Sequence, residues 1–209
     1  MAVAGTRGAN QPPPLAGYNL YEQDAALVEG LRREGGAPWG KRIASFGEVL
    51  GGEPLEWGRL ANEHPPQLKT HDRYGERVDE IEFHPAWDSL LRLGLEARLH
   101  SLPWIEPEPG AHVARATLFM LLGQVEAGVG CPLSMTFAAV PALRSQLDLS
   151  AEWIPRLTGG DALCGMAMTE RQGGSDVRAN ETAARPAGDV WELDGYKCCL
   201  LYTSPSPRD

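Results

Sequence analysis

Groups suited to holding a ligand are concentrated in one stretch, Cys164-Gly165-Met166-Ala167-Met168-Thr169-Glu170-Arg171-Gln172-Gly173-Gly174-Ser175-Asp176. A short apolar run ends there in a hydroxyl and a carboxylate, and a Gly-Gly-Ser-Asp loop follows. Cys164 to Met168 has a strand's length and is bounded by turn chemistry. Gly173 and Gly174 can take positive φ and, lacking a Cβ, admit another group at close range. Exposed amide N–H groups in such a loop can form an anion-binding concavity, with the Ser175 hydroxyl as a further donor. The chemistry on offer is therefore the holding of a phosphorylated, planar cofactor at the end of a strand. By spacing alone, an ordinary surface turn after a strand fits these residues better.

A resemblance shifts that balance. Met168-Thr169-Glu170-Arg171-Gln172-Gly173-Gly174-Ser175-Asp176-Val177 resembles the flavin-binding signature of the acyl-CoA dehydrogenases, and the Gln before Gly-Gly is similar to their alkylation-response branch. Asn19-Leu20-Tyr21, Gly58-Arg59-Leu60-Ala61-Asn62, Phe83-His84-Pro85-Ala86-Trp87, Gln124-Val125-Glu126-Ala127-Gly128 and Cys131-Pro132 resemble that branch as well. The similarity runs from Asn10 to Lys197. It implies an FAD-dependent oxidoreductase that takes a proton from Cα and a hydride from Cβ of an acyl-CoA, the hydride going to flavin N5. It also implies that Met168 and Thr169, through backbone groups and the Thr169 hydroxyl, contact the pyrimidine edge of the flavin. Donors there stabilise the charge that reduction adds. Met166 and Ala167 would form the wall under the ring, although Met166 reads equally well as a gap-filling core residue. Ser175, with amides near Gly173 and Gly174, would hold the pyrophosphate. Glu170 and Asp176 read as turn and loop partners rather than catalytic groups.

The catalytic base of the family is a glutamate of its C-terminal domain, to which no residue here corresponds. No residue of this chain is therefore assigned as catalytic, and the chain alone is expected to be inactive and a poor FAD binder. The resemblance also carries a second reading. The alkylation-response branch is associated with double-stranded DNA, so DNA binding and protection rather than turnover would be the main role. Family members usually form homotetramers.

In the whole chain, hydrophobic residues make up 43% and charged residues 22%, which is ordinary for a globular protein. The formal charge of −9 speaks against these residues gripping nucleic acid, which takes clustered Lys and Arg. Cys131, Cys164, Cys198 and Cys199 form no C-x-x-C pair and read as free thiols of a reducing compartment. No apolar run approaches the ~18 residues of a membrane span, and Ala2 to Pro14 lack the apolar segment of a signal peptide. The expected location is cytoplasmic. His64, His71, His84, His100 and His112 show no metal spacing and read as surface or capping residues. Gly128-Val129-Gly130 lacks the third glycine of a dinucleotide loop.

The segments around this stretch read as mainly helical. Residues 1–17 read as a disordered Gly/Pro-rich arm. Asn19 with Glu22 has the form of a capping box opening a helix that Gly35-Gly36 stops. Helices follow near Lys41–Leu50 and Pro54–Glu63, and a small hairpin fits around Tyr74-Gly75. From Pro85, Trp87, Leu90, Leu91, Leu95, Leu99 and Leu102 share one face, with Ser89, Arg92, Glu96 and His100 opposite. A helix over about Ala111–Ala127 is apolar nearly all round. Cys131-Pro132 opens another that Pro141 interrupts, and Trp153-Ile154-Pro155 closes the helical part. Strand-length pieces then fall at 163–169, near 180–185 and at 190–194. The expected fold class is mainly α: an all-α N-terminal domain (18–160) followed by the start of the family's middle β-barrel domain (161–197), which binds FAD. From Cys198 to Asp209 the sequence matches nothing in the family and reads as foreign sequence joined after Lys197.

Overall fold

The computed structural model describes Pro12 and residues 15–198. Most of the expected N-terminal arm, and the foreign-looking tail from Cys199 onward, lie outside the described residues.

The fold is mainly α with two small sheets, as the sequence leads one to expect. The first helix, α1 (Ala25–Arg33), is opened by Asp24, whose carboxylate accepts the Leu27 N–H at 2.9 Å. Asn19 does cap a turn, accepting from the Tyr21 and Glu22 amides, but that turn precedes the helix. Gly35 at φ +84° ends α1 in the left-handed region where a glycine costs least. A short 3₁₀ turn leads into α2 (Gly40–Leu50), and α3 (Pro54–Glu63) follows. A two-stranded antiparallel hairpin, β1 (Gln67–His71) and β2 (Arg77–Glu82), then projects with its residues largely exposed.

His84 and Pro85 open α4 (Pro85–Glu96), the His84 ring accepting the Ala86 N–H. The apolar face expected to run on to Leu102 is broken. Arg98 sits at φ +64° and the chain restarts as the short α5 (Leu102–Ile105). That break resets the helical phase, so His100, expected on the polar face, is buried. α6 (Ala111–Val125) and α7 (Gly130–Leu143) are joined by a turn in which the Glu126 carboxylate accepts the Gly128 and Val129 amides, each at 2.8 Å.

Pro141 lies within α7 without interrupting it. A proline there leaves the carbonyl four residues back without its helical donor. That carbonyl, of Phe137, instead accepts the Trp104 indole N–H at 3.0 Å. The last helix, α8 (Leu147–Gly159), likewise runs past Pro155, with Ala151 exposed so that water can take its carbonyl.

The core is leucine-rich. Leu20, Leu31, Ile43, Leu50, Leu90, Leu99, Leu102, Leu118, Leu121, Leu122 and Leu133 are fully buried and pack as one cluster. Gly94 on α4 lets α7 approach, since a Cβ there would lie 2.6 Å from Leu133 Cδ1. Trp104 (α5) stacks on Phe137 (α7) at 4.6 Å between centroids. The Arg115 guanidinium lies over Phe137 at 3.7 Å and that of Arg144 over Trp104 at 4.8 Å, so α5, α6 and α7 share one cation–aromatic stack. A second antiparallel hairpin, β3 (Ala183–Ala187) and β4 (Val190–Asp194), follows, and Lys197 beyond it pairs back to Glu170.

Candidate functional site

The strand expected at 163–169 does not form. These residues have no ladder partner among the described residues, and β3 and β4 pair only with each other. A strand exists through its neighbour's hydrogen bonds, so length and composition could not create one here. The segment is held instead by α7. The Cys164 N–H donates to the Thr136 hydroxyl at 3.0 Å, and the Met166 N–H meets Met135 Sδ at 3.2 Å. Thr136 is fully buried, and its hydroxyl donates to Pro132 O within the helix. Met166 is 42% and Met168 53% exposed, so neither is a core residue of the described chain.

Glu170 is the centre of the stretch. It is 3% exposed and accepts four groups: Lys197 Nζ at 2.7 Å, Gln172 Nε2 at 2.7 Å, and the backbone amides of Glu181 at 2.6 Å and Thr182 at 3.1 Å. The Lys197 ammonium, with Thr182 and the Glu181 amide, holds its carboxyl well below the usual carboxylate range. Gln172 also donates to Ala179 O, Asn180 Nδ2 to Met168 O, and Lys197 Nζ to Met168 O at 3.3 Å. The Cys198 N–H donates to Thr169 O. Asp176 starts the 3₁₀ turn at 177–179 by accepting the Arg178 N–H.

This web determines what the sequence-predicted residues can offer a ligand. The carbonyls of Met168 and Thr169 are already accepting within the chain. The N–H groups of Met168 and Thr169 and the hydroxyls of Thr169 and Ser175 have no hydrogen-bond partner among the described residues. The site therefore presents donors, which suits a phosphate or an electron-rich ring edge. Gly173 does not contribute its amide, because that N–H closes a turn on Glu170 O at 3.0 Å. Gly174 matters for close approach: a Cβ there would lie 2.9 Å from Thr169 Oγ1. Met168, Thr169 and Ser175 thus keep donors for a ligand, whereas Gly174 packs against Thr169 and Gly173 closes the turn.

Other candidates are structural. His84 caps a helix and stacks on His64 at 4.9 Å. His100 bonds Thr158 O through Nε2, and burial pushes its pKa down. Cys131 and Cys164 are free thiols. Among the described residues no cluster of His, Cys, Asp and Glu could hold a metal, and no helix is long and apolar enough to cross a membrane. Sequence reasoning missed the Lys197, Gln172 and Asn180 contacts around Glu170. The one available signal was a carboxylate beside Gly-Gly and a lysine after the last turn, too common a pattern to single out.

A model of the adaptive response protein AidB N-terminal domain matches residues 10–161. AidB of Escherichia coli K12 is 45% identical over 205 residues, spanning 90% of this chain and 38% of that protein. Acyl-CoA dehydrogenase family member 11 of Caenorhabditis elegans is 30% identical over 211 residues, spanning 93% of this chain and 34% of that protein. The solved structure of C. elegans ACDH-11 in complex with C11-CoA superposes with a TM-score of 0.78 at 28% identity, covering 94% of this chain and 36% of that one. The chain thus spans little more than a third of the length of the relatives it matches. With residues 10–161 matched, this chain belongs to the AidB N-terminal domain family, within the acyl-CoA dehydrogenases.

Proposed function

We propose that this chain supplies the N-terminal helical domain (18–160) and the start of the FAD-binding β domain (161–197) of an acyl-CoA dehydrogenase-like flavoprotein that oxidises acyl-CoA at Cα–Cβ. The observation that carries this reading is the donor set at Met168, Thr169 and Ser175, with Gly174 kept side-chain-free against Thr169. Bound FAD would supply the hydride acceptor. Thr169 and the Met168 and Thr169 amides would orient the flavin's pyrimidine edge and stabilise charge there, with Met166 and Ala167 as its wall. Ser175 would hold the pyrophosphate beside Gly174. Acyl-CoA as the substrate class is supported by the C. elegans relative solved with C11-CoA. The reading includes a catalytic glutamate outside this chain, a homotetramer and a cytoplasmic setting.

A second reading, association with double-stranded DNA during alkylation damage, is favoured by the matched family's description as an adaptive response protein. With a formal charge of −9, this chain is an unsuited grip, so DNA contact would come from elsewhere.

Both readings are tested on the purified full-length gene product. Visible flavin absorbance that bleaches when acyl-CoA is added supports the first. Flavin colour without bleaching, together with retarded double-stranded DNA, supports the second. A colourless full-length protein that cannot be reconstituted with FAD refutes the flavin assignment. The chain alone is expected to be colourless and inactive.

A further inference from the structure

We infer that Glu170 and Lys197 act as a positioning pair, setting the backbone at Met168 and Thr169 so that it faces a cofactor with donors only. The inference rests on the flavin reading for its ligand, but on this chain's own contacts for its geometry. Glu170 is the one residue after Gly160 that the chain buries among those described, and it buries a charge. A buried carboxylate is tolerated when its lone pairs are filled, and four donors fill these. The donors come from positions 172, 181, 182 and 197, so one side chain gathers both ends of the loop and a residue three positions beyond β4.

Lys197 adds the second function. Its ammonium reaches Met168 O as well as the carboxylate, and with Asn180 Nδ2 it occupies that carbonyl from inside the chain. The Cys198 amide does the same for Thr169 O. With both carbonyls turned inward to these donors, the N–H groups of Met168 and Thr169 remain for a ligand. The pair also cancels its own charge. A lone ammonium or a lone carboxylate at this place would bias the electron affinity of a flavin beside it, in opposite directions.

The test uses Glu170→Gln, Lys197→Met and the double variant in the full-length gene product, with Lys197→Arg as the conservative rescue. Amide exchange across 164–182 should rise about tenfold or more in each single variant, the scale of losing a charged hydrogen bond. Exchange in α4 and α6 should stay unchanged, which separates this effect from failure to fold, and Lys197→Arg should recover most of the protection. The flavin midpoint potential should rise in Glu170→Gln, fall in Lys197→Met and return toward the parent value in the double variant. Unchanged exchange in both single variants overturns the inference, as do potentials that shift in the same direction. A parent protein that takes up no FAD sinks the flavin reading instead, and the exchange result still decides the positioning role.

Discussion

Between Leu20 and Leu157 the chain hides a dozen large apolar side chains under 2% exposed; after Gly160, among the described residues, it hides one carboxylate. The described large apolar residues beyond that point face outward, with Val190 at 63%, Trp191 at 67%, Leu193 at 74% and Tyr196 at 67% exposed. The bundle is stabilised by apolar area removed from water, about 25 cal/mol per Å². Two strands cannot bury a face between them. Order in the later region therefore rests on charge-assisted hydrogen bonds converging on Glu170. The difference explains where ligand chemistry can sit: a packed core leaves no donors over, whereas a polar hub can select which backbone groups face out.

Four substitutions or titrations probe the two regions separately. Leu133→Ala should cost about 2–5 kcal/mol of bundle stability, because the side chain is fully buried between α4 and α7. Denaturant unfolding followed by helical circular dichroism measures it, and a loss near zero would mean the bundle is not held by its leucines. Trp104→Phe should cost about 1–3 kcal/mol, since Phe137 O then loses its donor beside Pro141.

The two regions should also part in their response to pH. Burial lowers the His100 pKa below 6.5, so the unfolded state binds the proton first. Stability from a neutral His100 is complete above 6.5 and is lost as pH falls from there toward the folded value. The Glu170 pKa is likewise lowered, from 4.5, so its contribution is complete above 4.5 and is lost only on further acidification. The melting temperature of the bundle should thus fall below about pH 6.5 while exchange protection around Glu170 persists. His100→Gln should flatten the first effect, and coincident loss of both would remove the distinction. The smallest change is Lys69→Ala, which removes the exposed ion pair to Glu82 on the first hairpin. It should shift stability by no more than about 0.5 kcal/mol in the same denaturant titration.

Much of the bundle was legible because its signals are local. The limits of α2 and α3, the stop at Gly35-Gly36 and the apolar α6 follow from periodicity and punctuation that each segment carries in itself. Two misreadings share one cause, a partner distant in sequence, and that of His100 comes from a backbone break beside it. Pro141 passes inside α7 because Trp104 supplies the missing donor. His100 is buried because a left-handed Arg98 resets the phase. The 163–169 run lacks strand pairing because its geometry is set by Met135 and Thr136 on α7. At the candidate site, the motif singled out the loop by residue type alone. The use of Gly173's amide and the hub at Glu170 came only from the folded chain.

The bond from Trp104 to Phe137 also constrains how this sequence can drift. Each member of the Trp104–Pro141 pair is tolerable given the other, since the proline strips a carbonyl of its helical donor and the indole replaces it. Losing the tryptophan first passes through an unsatisfied carbonyl. Replacing the proline with alanine first restores the helical bond and releases the tryptophan to vary. The order of substitution therefore matters, and two positions far apart in the chain share one evolutionary fate.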